Sequence, residues 1–229
     1  MHNVKTAVLH QQLCAVTLLG NLVAKPDIRY RANPISAVTE ITLATSSKWL
    51  DKKTNKYKEW VSYHHIKVEG DIVEKALLNA DKGDILLVQG YLSNIKANTP
   101  KSNNASNTNN LSIVHANFIQ KFNKGYTQTV NQILCSGKLS STPKLIMTQN
   151  NKNLTQVNLS INHQVYSIDK QCWQSHSVER ELHVWGKQAQ YLVENAKLND
   201  NVMVEGKLSY LATADKRQFI EAKTVHLLI

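Results

Sequence analysis

The chain has 229 residues, 42% of them hydrophobic and 19% charged, an ordinary globular composition with enough apolar material for a buried core. Its formal net charge is +10, which suits a polyanionic partner or an anionic surface and says nothing about fold. No apolar run reaches the roughly 20 residues of a membrane span, the first dozen residues show no signal-peptide pattern, and the three cysteines, Cys14, Cys135 and Cys172, lack the number and spacing of a disulfide framework or zinc site, so a reducing cytoplasm is expected.

The first predicted strand ends at Gly20, and Pro26 then leads into Arg29, Tyr30 and Arg31. The two arginines are candidates for phosphate contacts, with a solvated loop as the alternative. A second strand alternates through Val38, Ile41 and Leu43. It leads into a basic hairpin carrying Lys48, Lys52, Lys53, Lys56 and Lys58, with Trp49 and Tyr57 interleaved and Trp60 following. A lysine run alone would read as a solvated hairpin tip. Lysines interleaved with aromatic rings instead suit a strand of nucleic acid, whose phosphates need cations and whose bases need flat partners. The third strand runs to Gly70. Period two puts Ile66 and Val68 inside and Tyr63, His65 and Lys67 together outside; an ordinary strand surface or an interface between copies is the alternative there. Asp71 and Glu74 resemble a helix start, and Val73, Ala76, Leu77 and Ala80 form an apolar stripe at helical spacing. A fourth strand covers Ile85 to Tyr91, and Tyr91 joins the candidate contacts. Residues 99–110, rich in Asn, Ser and Thr, read as a disordered loop before a fifth strand from Ser112 to Ile119.

After a polar stretch at 123–128 the same order returns. Gly20 maps to Gly137 and Pro26 to Pro143 at an offset of 117, while Gly70, Asp84 and Gly90 map to Gly186, Asp200 and Gly206 at an offset of 116. The second copy has its own alternating strand (Val157, Leu159, Ile161), its own helical stripe (Ala189, Leu192, Val193, Ala196) and its own fourth and fifth strands (Val202 to Leu208; Gln218 to Leu227). A repeat at fixed offset means one structural unit written twice. The expected fold is all-β: two five-stranded OB-fold barrels in tandem, each with a short helix between strands three and four. The expected division is an N-terminal barrel at 1–122, a linker at 123–128 and a diverged barrel at 129–229.

The two outer rows are not alike. An offset of 116 turns Tyr63 into Glu179, His65 into Glu181, Lys67 into His183 and Glu69 into Trp185. Carboxylates repel phosphates, so the second face should bind nucleic acid weakly unless Trp185, Arg180 or Lys187 compensates. Trp173 and Tyr166 either stack on bases or belong to an interface.

The first copy resembles the bacterial single-stranded-DNA-binding proteins through GNLVAKPDIRY, ITLATSSKW, DKKTNKYKEW, YHHIKVEG and KGDILLVQGYL. The second resembles them more faintly, through RELHVWGK and NDNVMVEGKL. The resemblance implies sequence-tolerant, non-catalytic binding of single-stranded DNA in replication, recombination, repair or transfer. It also implies four OB-folds acting together, which a tandem chain reaches as a homodimer, and a cytoplasmic, nucleoid-associated place. Trp49 matches a stacking tryptophan of the family and Tyr63 stands in the place of another, but Glu69 and Ala97 replace two further aromatics. The chain ends in a strand pattern at 225–229 without the acidic tail by which housekeeping members recruit enzymes, so a specialised or mobile-element role is expected. No cofactor is expected: there is no phosphate loop, HExxH, GxSxG or paired-acid motif. Two other readings stand beside this one. The first is an adaptor that binds replication or recombination proteins through its OB faces; the second is RNA binding through the same surfaces, although no residue reads a 2′-hydroxyl.

Overall fold

The structure, a computed structural model, describes residues 12–33, 35–51, 54–96, 110–125, 127–149, 151–167, 171–213 and 216–228. Of the expected loop at 99–110, residues 99–109 lie outside the described residues, as do Lys52, Lys53 and Ala97, while Asn110 begins a strand. The first copy forms β1 (Cys14–Leu22), β2 (Arg29–Arg31), β3 (Ser36–Asp51), β4 (Lys56–Glu69), β5 (Ile85–Lys96) and β6 (Asn110–Phe122). The second forms β7 (Val130–Leu139), β8 (Lys144–Met147), β9 (Asn153–Ser167), β10 (Cys172–Trp185), β11 (Asn201–Tyr210) and β12 (Gln218–Leu228). Pairings close a ring in each copy. In the first, β1 pairs β3, β3 pairs β4, β4 runs parallel to β6, β6 pairs β5, and β5 returns to β1. In the second, the ring is β7, β9, β10, β12, β11 and back to β7. Both are five-stranded OB-fold barrels with strand order 1-2-3-5-4.

Alternation explains the cores. Ala37, Ile41, Leu43, Ile66, Val68, Leu86 and Val88 fill the first barrel; Ile133, Val157, Leu159, Ile161, Leu182 and Leu208 fill the second. Val38 is a correction to the sequence reading. With Ile41 and Leu43 inside, period two sends Val38 outward, and Ala37 and Thr39 take the inner seats. The first strand also does not stop at its glycine. It runs through Gly20 to Leu22, where β1 turns from β5 to meet β3 at Asn21↔Ala44. A Cβ on Gly20 would collide with the Ala44 carbonyl oxygen, so glycine permits the crossing instead of ending the strand. Gly137 repeats the arrangement against the Ser160 carbonyl oxygen, 2.6 Å from where its Cβ would sit.

The helical stripes are buried as expected, except that Val193 is only half-buried. The second is an α-helix, α1 (Lys187–Asn195), and the first is a single π-helical turn, Val73–Leu77. The expected Asp71 cap is not made. Ile72 holds the capping position and has no oxygen to offer, and Asp71 pairs with Lys75 at 3.5 Å instead. Among the described residues no helix is long and apolar enough to cross a membrane.

The barrels are joined edge to edge. β1 pairs antiparallel with β7, and Val16 lies opposite Ile133, its own counterpart in the repeat, so the seam is a pseudo-two-fold. The mates on either side of it carry polar contacts. On one side His64 Nδ1 lies 3.0 Å from the Tyr210 hydroxyl. On the other, the counterparts Arg180 and Asn94 are joined by a 2.8 Å hydrogen bond from Nη1 to Oδ1. Arg180 also donates to the Ser93 carbonyl at 2.7 Å and to Gln218 Oε1 at 3.1 Å. Cys14 and Cys135, remote in sequence, face each other across this ladder as free thiols. Burial pushes Cys14 up to about 11 and raises Cys135 as well, so both stay protonated.

Candidate nucleic-acid interface

The long antiparallel pair β3–β4 positions most of the candidate residues. Its register sets Trp49 against Lys58, Ser47 against Trp60, Leu50 against Tyr57 and Ala44 against Tyr63. Cross-strand partners share a face, so the rings divide between the two sides of the hairpin. Trp49, Trp60, Lys56 and Lys58 continue the barrel's inner parity out beyond the core. Lys48, Tyr57, Tyr63, His65 and Lys67 occupy the outer parity. The rings are open to solvent: Tyr57 is 79% exposed, Trp60 60% and Tyr63 52%, with Trp49 also exposed. An aromatic face left in water in a globular protein marks a contact surface.

Several of the nearby cations are held by acids. Lys58 pairs with Asp51 at 2.6 Å, Lys48 lies 3.8 Å from Glu59, and Arg29 pairs with Asp27 at 2.7 Å. Glu69 gathers Lys67 and Arg31, each at 2.8 Å, with His115 Nε2 at 3.7 Å. Burial alone would raise the Glu69 carboxyl, but the Lys67 ammonium, with His115 and Arg31 behind it, outweighs burial and holds it below the usual carboxylate range. Lys67 and Arg31 are therefore aimed by Glu69, and a phosphate arriving there competes with it.

Tyr91 is a correction. The expectation was a ring offered to a base, but it is only 7% exposed. It stacks on His115 with centroids 5.0 Å apart and planes 11° apart, and meets His163 edge-on at 5.0 Å and His176 at 5.7 Å. His163 and His176 are cross-strand neighbours on the β9–β10 hairpin, which lies against the first barrel, and they stack at 5.7 Å. Because β4 pairs β6 at Lys67↔His115, one row runs from Tyr63, His65 and Lys67 through His115 and Tyr91 to the second barrel. The three histidines were missed by the sequence reading. No spacing links residues 115, 163 and 176; the contact exists because the second hairpin folds over the first barrel.

In the second barrel Glu179 accepts a 2.9 Å hydrogen bond from the Ser140 hydroxyl. Glu181 is held by His183 at 2.6 Å and Arg217 at 3.0 Å, and His183 stacks on Phe219 at 4.1 Å. Arg180, considered as a compensating cation, is buried in the seam instead, where burial lowers it to about 10. Trp185 is exposed at the end of β10, remote in register from Trp173, which is 63% exposed and meets Tyr166 edge-on at 5.6 Å near the hairpin tip.

A family model described as the single-strand binding protein family matches residues 13–119 and 130–228. Among solved structures, a deletion mutant of the single-stranded DNA binding protein from Thermus aquaticus is 22% identical with a TM-score of 0.75, over 96% of this chain and 96% of that one. The wild-type protein from the same organism is 22% identical with a TM-score of 0.75, over 96% of this chain and 94% of that one. At that identity the likeness is one of fold, and it runs nearly end to end.

Proposed function

The chain belongs to the single-strand binding protein family, and on that premise we propose that it binds single-stranded DNA without sequence preference and without catalysis, mainly through its N-terminal barrel. The observation that carries this is the exposed aromatic-and-basic character of both sides of the β3–β4 hairpin, with Trp49, Trp60, Lys56 and Lys58 on one side and Tyr57, Tyr63, Lys48, His65 and Lys67 on the other. Flat rings accept any base, and cations follow the phosphates whatever the sequence. The second barrel carries Glu179 and Glu181 where the first has Tyr63 and His65, and Glu181 engages Arg217 and His183, so it adds less to the contact. Such a protein coats and protects DNA exposed in replication, recombination, repair or transfer. Our reading divides the chain into 1–122 and 129–229 about a linker at 123–128, and has two chains assemble so that four barrels act together.

Titration with oligo-dT should quench tryptophan fluorescence, and affinity should fall steeply with salt as counterion release weakens. Unchanged fluorescence at low salt would sink the proposal. A second reading, an adaptor for partner proteins, is favoured by β8, an edge strand whose Leu145, Ile146 and Met147 are all exposed. Partners that survive nuclease treatment in a pulldown would favour the adaptor; partners lost with nuclease favour the coat.

A further inference from the structure

Where the β9–β10 hairpin lies against the first barrel, a cleft of about 450 Å³ opens beside the row of rings. Tyr91 lines it from the first barrel together with Asn117, and His163, Gln164, Tyr166 and Trp173 line it from the second. That volume falls within the range of about 300–1,000 Å³ usual for small-molecule sites. Among the described residues no Lys, Arg, Asp or Glu lines it, so these side chains offer a ligand no formal charge. What it offers is flat rings, side-chain amides and one imidazole.

The imidazole is the telling group. His163 is 4% exposed, and among the described residues neither of its ring nitrogens has a hydrogen-bond partner. A buried polar group left unpaired is unfavourable, and such groups are rare. Burial, with the neighbouring His176 adding to it, lowers His163 to about 4, so at neutral pH it presents one N–H donor and one bare acceptor. A donor and an acceptor beside flat rings, in a site without formal charge, match the edge and face of a nucleobase.

We propose that this cleft receives a single unstacked base of the bound DNA, with Trp173 covering its face, Tyr166 flanking it and His163 meeting its polar edge. The inference rests on the single-strand-binding reading and adds to it a path. The strand leaves the Tyr63 row, passes His115 and Tyr91, and inserts one base between the barrels before continuing along the second hairpin. Phosphates stay outside, where Lys67 and Arg31 stand next to Glu69.

The test uses the full chain with Trp173 as its single tryptophan, made by W49F, W60F and W185F. Oligo-dT should quench Trp173, whereas an abasic oligonucleotide of equal length, which has phosphates but no bases, should leave it unchanged. H163F keeps a ring and removes both nitrogens; it should abolish most of the quench and weaken labelled oligo-dT binding roughly tenfold. Y166A, at an exposed position, should act in the same direction without a core defect. If labelled oligo-dT binds the single-tryptophan chain but Trp173 is not quenched, or if the abasic strand quenches it equally, the cleft is not a base site. If oligo-dT does not bind the wild-type chain at all, the single-strand-binding reading fails first and the cleft proposal fails with it.

Discussion

Two residues show how local chemistry separates binding from stability. Tyr63 is exposed and sits on the outer parity of β4, so its removal disturbs little of the core. Stacking on a base is worth about 1–3 kcal/mol, so Tyr63→Ala should weaken oligo-dT binding roughly 5- to 150-fold with an unchanged melting temperature. Trp185→Ala, on the diverged barrel, should change the affinity by less than about threefold in the same titration. His64 is the opposite case, fully buried and facing inward. Its Nδ1 lies 3.0 Å from the Tyr210 hydroxyl, which also accepts from Gln218 Nε2 at 3.2 Å, and its Nε2 lies 2.8 Å from Thr45 Oγ1, so a neutral imidazole can donate on one side and accept on the other. Burial, with His65 nearby, lowers His64 to about 4. The unfolded chain takes up that proton near the ordinary value of 6.5 and the native chain does not, so the stability His64 contributes is complete above pH 6.5 and lost as pH falls towards 4. His163 is shifted the same way and adds to the slope. Urea midpoints should therefore drop between pH 6.5 and 4.5, and His64→Asn should flatten part of that decline; a midpoint independent of pH in this window would contradict the assignment.

At the scale of elements, most of the fold was legible in the sequence because strands have period two and OB barrels need glycine at fixed places. The inner seats of β4 and β9 followed from alternation, and so did the shared outer face of Tyr63, His65 and Lys67. What the sequence hid was where elements cross. Gly20 looks like a strand end, since glycine weakens strands, but here it is the point where β1 passes the Ala44 carbonyl. Backbone cannot yield as a flexible side chain can, so Gly20→Ala should lower stability by about 2–4 kcal/mol in urea denaturation without altering DNA contacts. In the sequence the hairpin's rings and lysines are interleaved, with no face assigned to them. Its register divides them between two faces, a consequence of pairing that spacing alone does not reveal. Tyr91 escaped for a related reason: its burial depends on His163 and His176, which lie on a strand pair of the other barrel.

At the scale of the molecule, the two barrels share one sheet. The strand order runs from β2 to β8 without a break, and β1–β7 pairing joins the halves. If residues 1–122 are produced alone, the β1 edge loses its partner and exposes a row of backbone donors and acceptors. Because Val16 and Ile133 are counterparts across a pseudo-two-fold, a second copy of β1 can take the place of β7. The isolated half should therefore sediment as a dimer at micromolar concentration, and a monomer would show that the seam depends on residues special to β7. The same seam has a consequence for symmetry. In a dimer of identical chains, any substitution at a contact across the axis appears twice, so both sides must tolerate the same chemistry. In this chain each side is encoded separately, and one has an imidazole with a phenol while the other has a guanidinium with an amide. Joining the copies in one polypeptide lets them diverge without ever mispairing, and it fixes their ratio: every molecule presents one Tyr63 face and one Glu181 face.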